Sequence, residues 1–162
     1  MGMKKYMPLK VVLRTVGEST LEDYAASRCI LDSPEGTFGF WKNVIETKPE
    51  FEADKETLVV ILLDAKLRPR AYHQVALGTV NECAARPLEV FRTVIVSAAF
   101  AFILVHNHPS GDATPSNADR NITSQLRQGA EILQLRFLDH VIVGDPRVSA
   151  PPYFSFRDAG LL

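Results

Sequence analysis

The chain has 162 residues, 46% hydrophobic and 23% charged, with a formal net charge of −1. That length and balance suit one globular domain with a sizeable core, and near-neutrality argues against a dedicated nucleic-acid binder, which carries a basic excess against phosphates. Two cysteines, Cys29 and Cys83, are too few for a disulfide framework or an all-cysteine zinc site.

Both cysteines have apolar neighbours and read as buried thiols. The only concentrated positive charge is Lys4, Lys5 and Lys10. The opening "MGMKKYMPLKVVL" has neither the apolar stretch nor the small-residue cleavage site of a secretory signal. The longest nearly apolar run, Val94 to Val105, falls well short of the roughly 20 residues that span a bilayer. A cytoplasmic, non-membrane protein is therefore expected. No repeat is evident.

In chain order, "STLEDYAASRCIL" reads as a helix, capped by Ser19 or Thr20 and acidic in its first turn. "SPEGTFGFWKNVIE" reads as a second, with a serine cap and Pro34 at the first helical position. Its Phe38, Trp41, Val44 and Ile45 form a core-facing stripe. "ETLVVILLD" is solidly apolar and β-branched, as in a central strand covered on both faces. Ala65 to Pro69 turn the chain into a partner strand, "RAYHQVAL", with His73 exposed on the hairpin. A helix opens at Pro87, with Leu88, Phe91, Val94 and Ile95 inward. "AFILV" is a buried strand that runs directly into His106. "PSGD" is turn chemistry, after which Thr114 or Ser116 caps a helix with the apolar stripe Ile122, Leu126, Ala130 and Leu133. "LRFLDHVIVG" closes as a strand, and "YFSFRDAGLL" ends in a short edge strand. Strands and helices alternate through the centre, which predicts an α/β layered domain.

The densest chemistry is "VHNHPSGDATPSNAD", residues 105–119. Residues i and i+2 of a strand point to one face, so His106 and His108 can address one point. Asp119, one turn into the next helix, can bring a carboxylate back to them. Two histidines and a carboxylate leave one tetrahedral position open, the pattern of a catalytic zinc, although other first-row metals suit the same donors. Hydrolysis at such a site also wants a general base and a donor for the developing oxyanion. Ser116 lies on the same helical side as Asp119 and can donate. Glu56, at the mouth of the central strand, is the preferred base, with Glu52, Glu82 and Glu89 as competitors. Asp112 is a rival ligand but reads more simply as a turn residue. His140 reads as a hydrogen-bonded histidine between layers.

The same stretch resembles the JAMM (MPN-plus) metalloprotease motif, H-x-H-P followed by S-x-x-D, through His106, His108, Pro109, Ser116 and Asp119. Its wording is similar to the bacterial RadC family, as are "SPE" at 33, "VILLD" at 60, "GTVN" at 78, "RPLEVFR" at 86, "LDHVIVGD" at 138 and "FSFRDAGLL" at 154. The resemblance covers roughly residues 30 to 162. It implies a cytidine-deaminase-like JAB/MPN fold, a mixed central sheet flanked by helices, with one zinc on His106, His108 and Asp119. By the same resemblance Ser116 steadies the tetrahedral intermediate, and an acid at the place of Glu56 is the base.

Two departures from the family stand out. The first 30 residues have no room for the helix-hairpin-helix of RadC proteins, so a short form is expected: an N-terminal extension over 1–30 packing on a domain over 31–162. "VSAPPYFSF" adds residues after Arg147 that reshape one rim of the site.

The expected function is a zinc-dependent peptidase or isopeptidase acting on a peptide or protein substrate. The alternative is a non-catalytic JAMM-like or DNA-associated protein of the RadC type. The letters H-N-H do not make an HNH nuclease, whose residues are spread through a ββα element. A zinc deaminase would need H-x-E with P-C-x-x-C, and neither occurs.

Overall fold

The fold follows from one strand that is apolar on both faces. The computed structural model describes residues 14–15, 30–78 and 86–162. The lysine cluster, both cysteines, Glu82 and the helix expected from Ser19 to Cys29 lie outside them; Ile30 and Leu31 are not helical. In chain order the elements are β1 (Arg14–Thr15), α1 (Pro34–Phe40) running into a π-helical turn (Trp41–Ile45), β2 (Thr57–Leu63), β3 (Pro69–Leu77), α2 (Pro87–Val96), β4 (Ala101–Asn107), α3 (Asn117–Leu133), β5 (Arg136–Val143) and β6 (Tyr153–Ser155). The sheet order is β1-β3-β2-β4-β5-β6. Every neighbouring pair is antiparallel except β4 and β5, which are parallel. A parallel pair needs a crossover, and α3 supplies it.

Every residue of β2 and β4 is buried, as their unbroken apolar runs require. Odd-numbered residues of both strands, Val59, Ile61, Ile103 and Val105 among them, pack under Phe40, Trp41, Val44 and Ile45. Even-numbered ones, Leu58, Val60, Phe102 and Leu104, pack under α2 and α3 through Val90, Phe91, Leu126 and Ala130. The result is a mixed α/β sandwich with the sheet in the middle, as the alternation of elements predicts. Among the described residues no helix is long and apolar enough to cross a membrane.

Several expectations are corrected. Leu88 and Ile95 point outward, at 62% and 55% exposure. The buried arc of α2 runs through Val90, Phe91, Thr93 and Val94 instead. Thr93 can face the core because its hydroxyl donates to the Glu89 carbonyl within the helix. Leu133 is also exposed: α3 ends there with Gln134 in a left-handed conformation, and Leu135 turns in against the core in its place. His73 is half-buried rather than exposed. The second helix widens into the π turn, beside which Trp41 Nε1 donates to Glu46 Oε1 at 3.0 Å.

Helices α2 and α3 meet at Gly129, where an added Cβ would stand 2.5 Å from Phe91 Cε2. The Phe91 ring has little room to retreat, since it packs edge-on against Phe102. Alanine favours a helix over glycine by about 1 kcal/mol, but overpacking costs roughly 1–3 kcal/mol. Gly129→Ala is therefore expected to lower the urea midpoint; an unchanged or raised midpoint would show that Phe91 can withdraw.

Candidate metal centre

Strand β4 carries the chain to the site. His106 is 1% exposed and lies on the same sheet face as Leu104 and Phe102. It is paired in register with Leu58 of β2. Glu56 and His108 lie just beyond the paired residues, two positions from Leu58 and His106 respectively. Asn107, between the histidines, points the other way. Its side-chain carbonyl accepts from the Thr57 N–H at 2.9 Å, and its amide donates to the Lys55 carbonyl at 3.0 Å. The middle letter of H-N-H thus clamps both chain neighbours of Glu56, while the Gly78 N–H donates to the Glu56 carbonyl at 2.8 Å.

The S-x-x-D spacing is a helix N-terminus. Ser116 is the N-cap of α3 and Asp119 the third residue in, forming a reciprocal capping box. The Ser116 N–H donates to Asp119 Oδ2 at 2.7 Å, its hydroxyl donates to the same oxygen at 2.6 Å, and the Asp119 N–H donates to Ser116 Oγ at 3.2 Å. With Oδ2 held twice, Oδ1 is left to face His106 Nε2 at 3.2 Å. The motif therefore aims a carboxylate by the same bonds that start a helix.

Each imidazole is fixed through its Nδ1. His108 Nδ1 donates to the Asp112 carbonyl at 2.7 Å. A carbonyl only accepts, so the ring proton sits on Nδ1 and, in the neutral ring, Nε2 presents a lone pair. His106 Nδ1 is engaged by His140 Nε2 at 2.9 Å, again leaving Nε2 for the site. The loop presenting the Asp112 carbonyl is held from behind. Gly111 adopts φ +80°, and an added Cβ at Gly144 would lie 2.4 Å from its carbonyl oxygen. Ser149 Oγ donates to that oxygen and accepts from the Ala113 N–H. The segment after Arg147 thus braces the loop that orients His108.

His106, His108 and Asp119 offer one donor atom each within 4.8 Å of one another. The Nε2 atoms are 3.1 Å apart, and His108 Nε2 lies 3.5 Å from Asp119 Oδ2. Donors at about 2.0–2.1 Å from a tetrahedral zinc would stand about 3.3 Å from one another, so the spacing fits such an ion. The second sphere fits too, since ligating histidines commonly donate their other N–H to a fixed acceptor. Glu56 Oε1 lies 3.7 Å from His106 Nε2, beside the His106–His108–Asp119 group rather than within it.

The site's charged groups shift one another's ionisation. Burial pushes the Asp119 carboxyl up, but His106, His108 and Ser116 outweigh it and hold it well below the usual carboxylate range. Burial likewise opposes charge on His108, yet Asp119, the Asp112 carbonyl and Glu56 together raise its pKa. Burial raises Glu56 more than the two histidines lower it.

Glu56, His106, His108, Ser116 and Asp119 are all brought together. Glu52 is exposed and pairs with Lys55 at 2.6 Å, and Glu89 is exposed in the first turn of α2. The Asp112 carboxylate accepts from the Thr114 N–H in its turn; only its backbone serves the site. His140 is a fully buried, hydrogen-bonded histidine, as expected. Asn107, Thr123 and Ser149 were not anticipated, because single polar residues in or near apolar runs carry no spacing signal. Asn107→Ala would leave the Thr57 N–H and Lys55 carbonyl unpaired, at about 1–3 kcal/mol for a buried group; urea unfolding should show that loss, and full stability would mean the clamp is dispensable.

A family model described as the RadC-like JAB domain matches residues 31–161. A UPF0758 protein of Chlorobaculum parvum is 44% identical over 111 residues, 68% of this chain and 48% of the relative. One from Trichlorobacter lovleyi is 39% identical over 130 residues, 80% and 52% respectively. One from Geobacter sulfurreducens is 35% identical over 162 residues, all of this chain and 66% of the relative. The chain spans about half the length of most of these curated relatives. On that match, which contains His106, His108 and Asp119, the chain belongs to the RadC-like JAB domain family.

Proposed function

We propose that the protein is a zinc-dependent hydrolase that cleaves an amide bond in a peptide or protein substrate. The observation that carries this reading is the convergence of His106 Nε2, His108 Nε2 and an Asp119 carboxylate oxygen, with Glu56 beside them. When bound, zinc supplies Lewis acidity and brings the pKa of water toward about 7.

The chain's own residues account for the rest. Glu56 Oε1 takes a proton from the attacking water and returns it to the leaving amine. Its burial-raised pKa suits both halves of that transfer better than an ordinary carboxylate would. Asn107 fixes the backbone on either side of Glu56, so the carboxylate reacts from a set position. Ser116 holds Asp119 in the resting site and turns its hydroxyl toward the substrate oxygen as charge develops there. The Ser116 N–H keeps its bond to Asp119 Oδ2 throughout. A cleft of about 510 Å³ adjoins His108, lined by Phe51, Asn107, Pro109, Val143, Gly144 and Arg147, and receives the chain to be cut.

Zinc-loaded wild type is expected to cleave members of a quenched-fluorescence peptide library, with Glu56→Gln slowed at least about a hundredfold and His108→Ala inactive. Wild-type protein that holds zinc yet cleaves nothing, or equal cleavage by Glu56→Gln, would overturn the hydrolase reading.

Protons and zinc compete for His108 Nε2. An imidazole with the ordinary pKa near 6.5 would weaken binding about fourfold between pH 8 and pH 6. The raised pKa of His108 makes the expected loss larger than that. Chelator-competition titrations at the two pH values measure it, and a loss below fourfold would contradict the ligand assignment.

A further inference from the structure

The buried histidine beside the ligands, His140, is not among the donors that face the site, yet it is 0% exposed and has a partner on each nitrogen. Its Nδ1 lies 2.6 Å from Thr123 Oγ1, and that hydroxyl lies 2.6 Å from the Asp119 carbonyl oxygen. Phe156 stacks on one face of the ring, with centroids 4.8 Å apart and planes 8° from parallel.

The bond polarities follow from counting protons. A hydroxyl has one, and the Asp119 carbonyl can only accept, so at 2.6 Å the Thr123 proton lies on that bond. Thr123 Oγ1 must then accept from His140, which puts the His140 proton on Nδ1. Among the described residues no carboxylate comes within ion-pairing distance of the His140 ring, and burial without one disfavours a second proton. His140 Nε2 is therefore an acceptor, and among the described residues the donor it meets is His106 Nδ1–H. The chain of inference ends at His106 Nε2, which is left with a lone pair facing the other ligands.

We infer that Thr123 and His140 are positioning residues that lock His106 in its Nδ1–H tautomer and so keep Nε2 open for the metal. This rests on the metal reading above. The relay starts at the backbone of Asp119 and ends on His106, so one ligand's helix sets the protonation of another ligand. It also explains why His140 is not a fourth ligand: its Nε2 is aimed at His106 Nδ1 rather than into the cluster. Remove the Thr123 oxygen and His140 loses its acceptor at Nδ1. The neutral ring then does better with its proton on Nε2, donated to His106 Nδ1. That forces the His106 proton onto Nε2, where the ion has to sit.

The test uses the whole chain labelled with ¹⁵N-histidine, at pH 8. Long-range ¹H–¹⁵N correlation spectra should show Nδ1–H for both His106 and His140 in wild type. Thr123→Val should move the His140 proton to Nε2 and weaken zinc binding by about 10–100-fold. Thr123→Ser, which restores the hydroxyl, should return both readouts to wild type. Nε2–H on His106 in wild type would overturn the relay, as would wild-type zinc affinity in a folded Thr123→Val protein. Wild type that binds no zinc would defeat the metal reading instead, and the tautomer spectra, which need no metal, would still decide the relay.

Discussion

Lone pairs that face one another with no proton between them are the constraint on which this structure turns. His108 has spent its ring proton on the Asp112 carbonyl, and Asp119 has spent one oxygen on Ser116. What remains is a set of acceptors in which His106 Nε2 stands 3.1 Å from His108 Nε2 and 3.2 Å from Asp119 Oδ1, with Glu56 close by. Leaving a buried acceptor unpaired costs about 1–3 kcal/mol. A cation entering the set would satisfy these acceptors together. The surrounding bonds all serve to keep that set aimed.

Different parts of the fold hold different parts of the site. The histidines leave the end of a strand buried in mid-sheet, and the carboxylate sits in the first turn of the crossover helix that follows it. These are rigid elements, which suits ligands that must be held to fractions of an ångström. The cleft beside His108 is bounded largely by loops, including the 108–111 turn and the 143–147 turn. The segment through Ser149 braces the first of these, so one stretch lies beside the rim and steadies the loop that holds His108. On the proposed reading the chemistry is lodged in the scaffold, and the choice of substrate falls to the loops.

Much of this was legible in the sequence, for physical reasons. An apolar run leading into H-x-H places both rings on one strand face, and S-x-x-D before a helical pattern is a capping box whatever else it does. Glu56 was legible as a charge at the mouth of a strand that tolerates none inside. The supporting residues were not. Asn107 works by pointing away from the site, and nothing in its spacing shows that. His140 is 34 positions from the ring it serves, and only the parallel pairing of β4 with β5 brings them together. The α2 stripe misled because Thr93 satisfies its own hydroxyl and takes a core place that Leu88 or Ile95 was expected to fill.

The central claim is that two imidazoles and a carboxylate share one metal ion, and X-ray absorption at the zinc edge tests it most directly. Protein loaded with one equivalent of zinc and passed through a desalting column should retain it. Its spectrum should show a four-coordinate shell at about 2.0–2.1 Å made of nitrogen and oxygen, with the outer-shell scattering of two imidazoles. Zinc lost on the column, a sulfur shell near 2.3 Å, or scattering from fewer than two imidazoles would contradict the account.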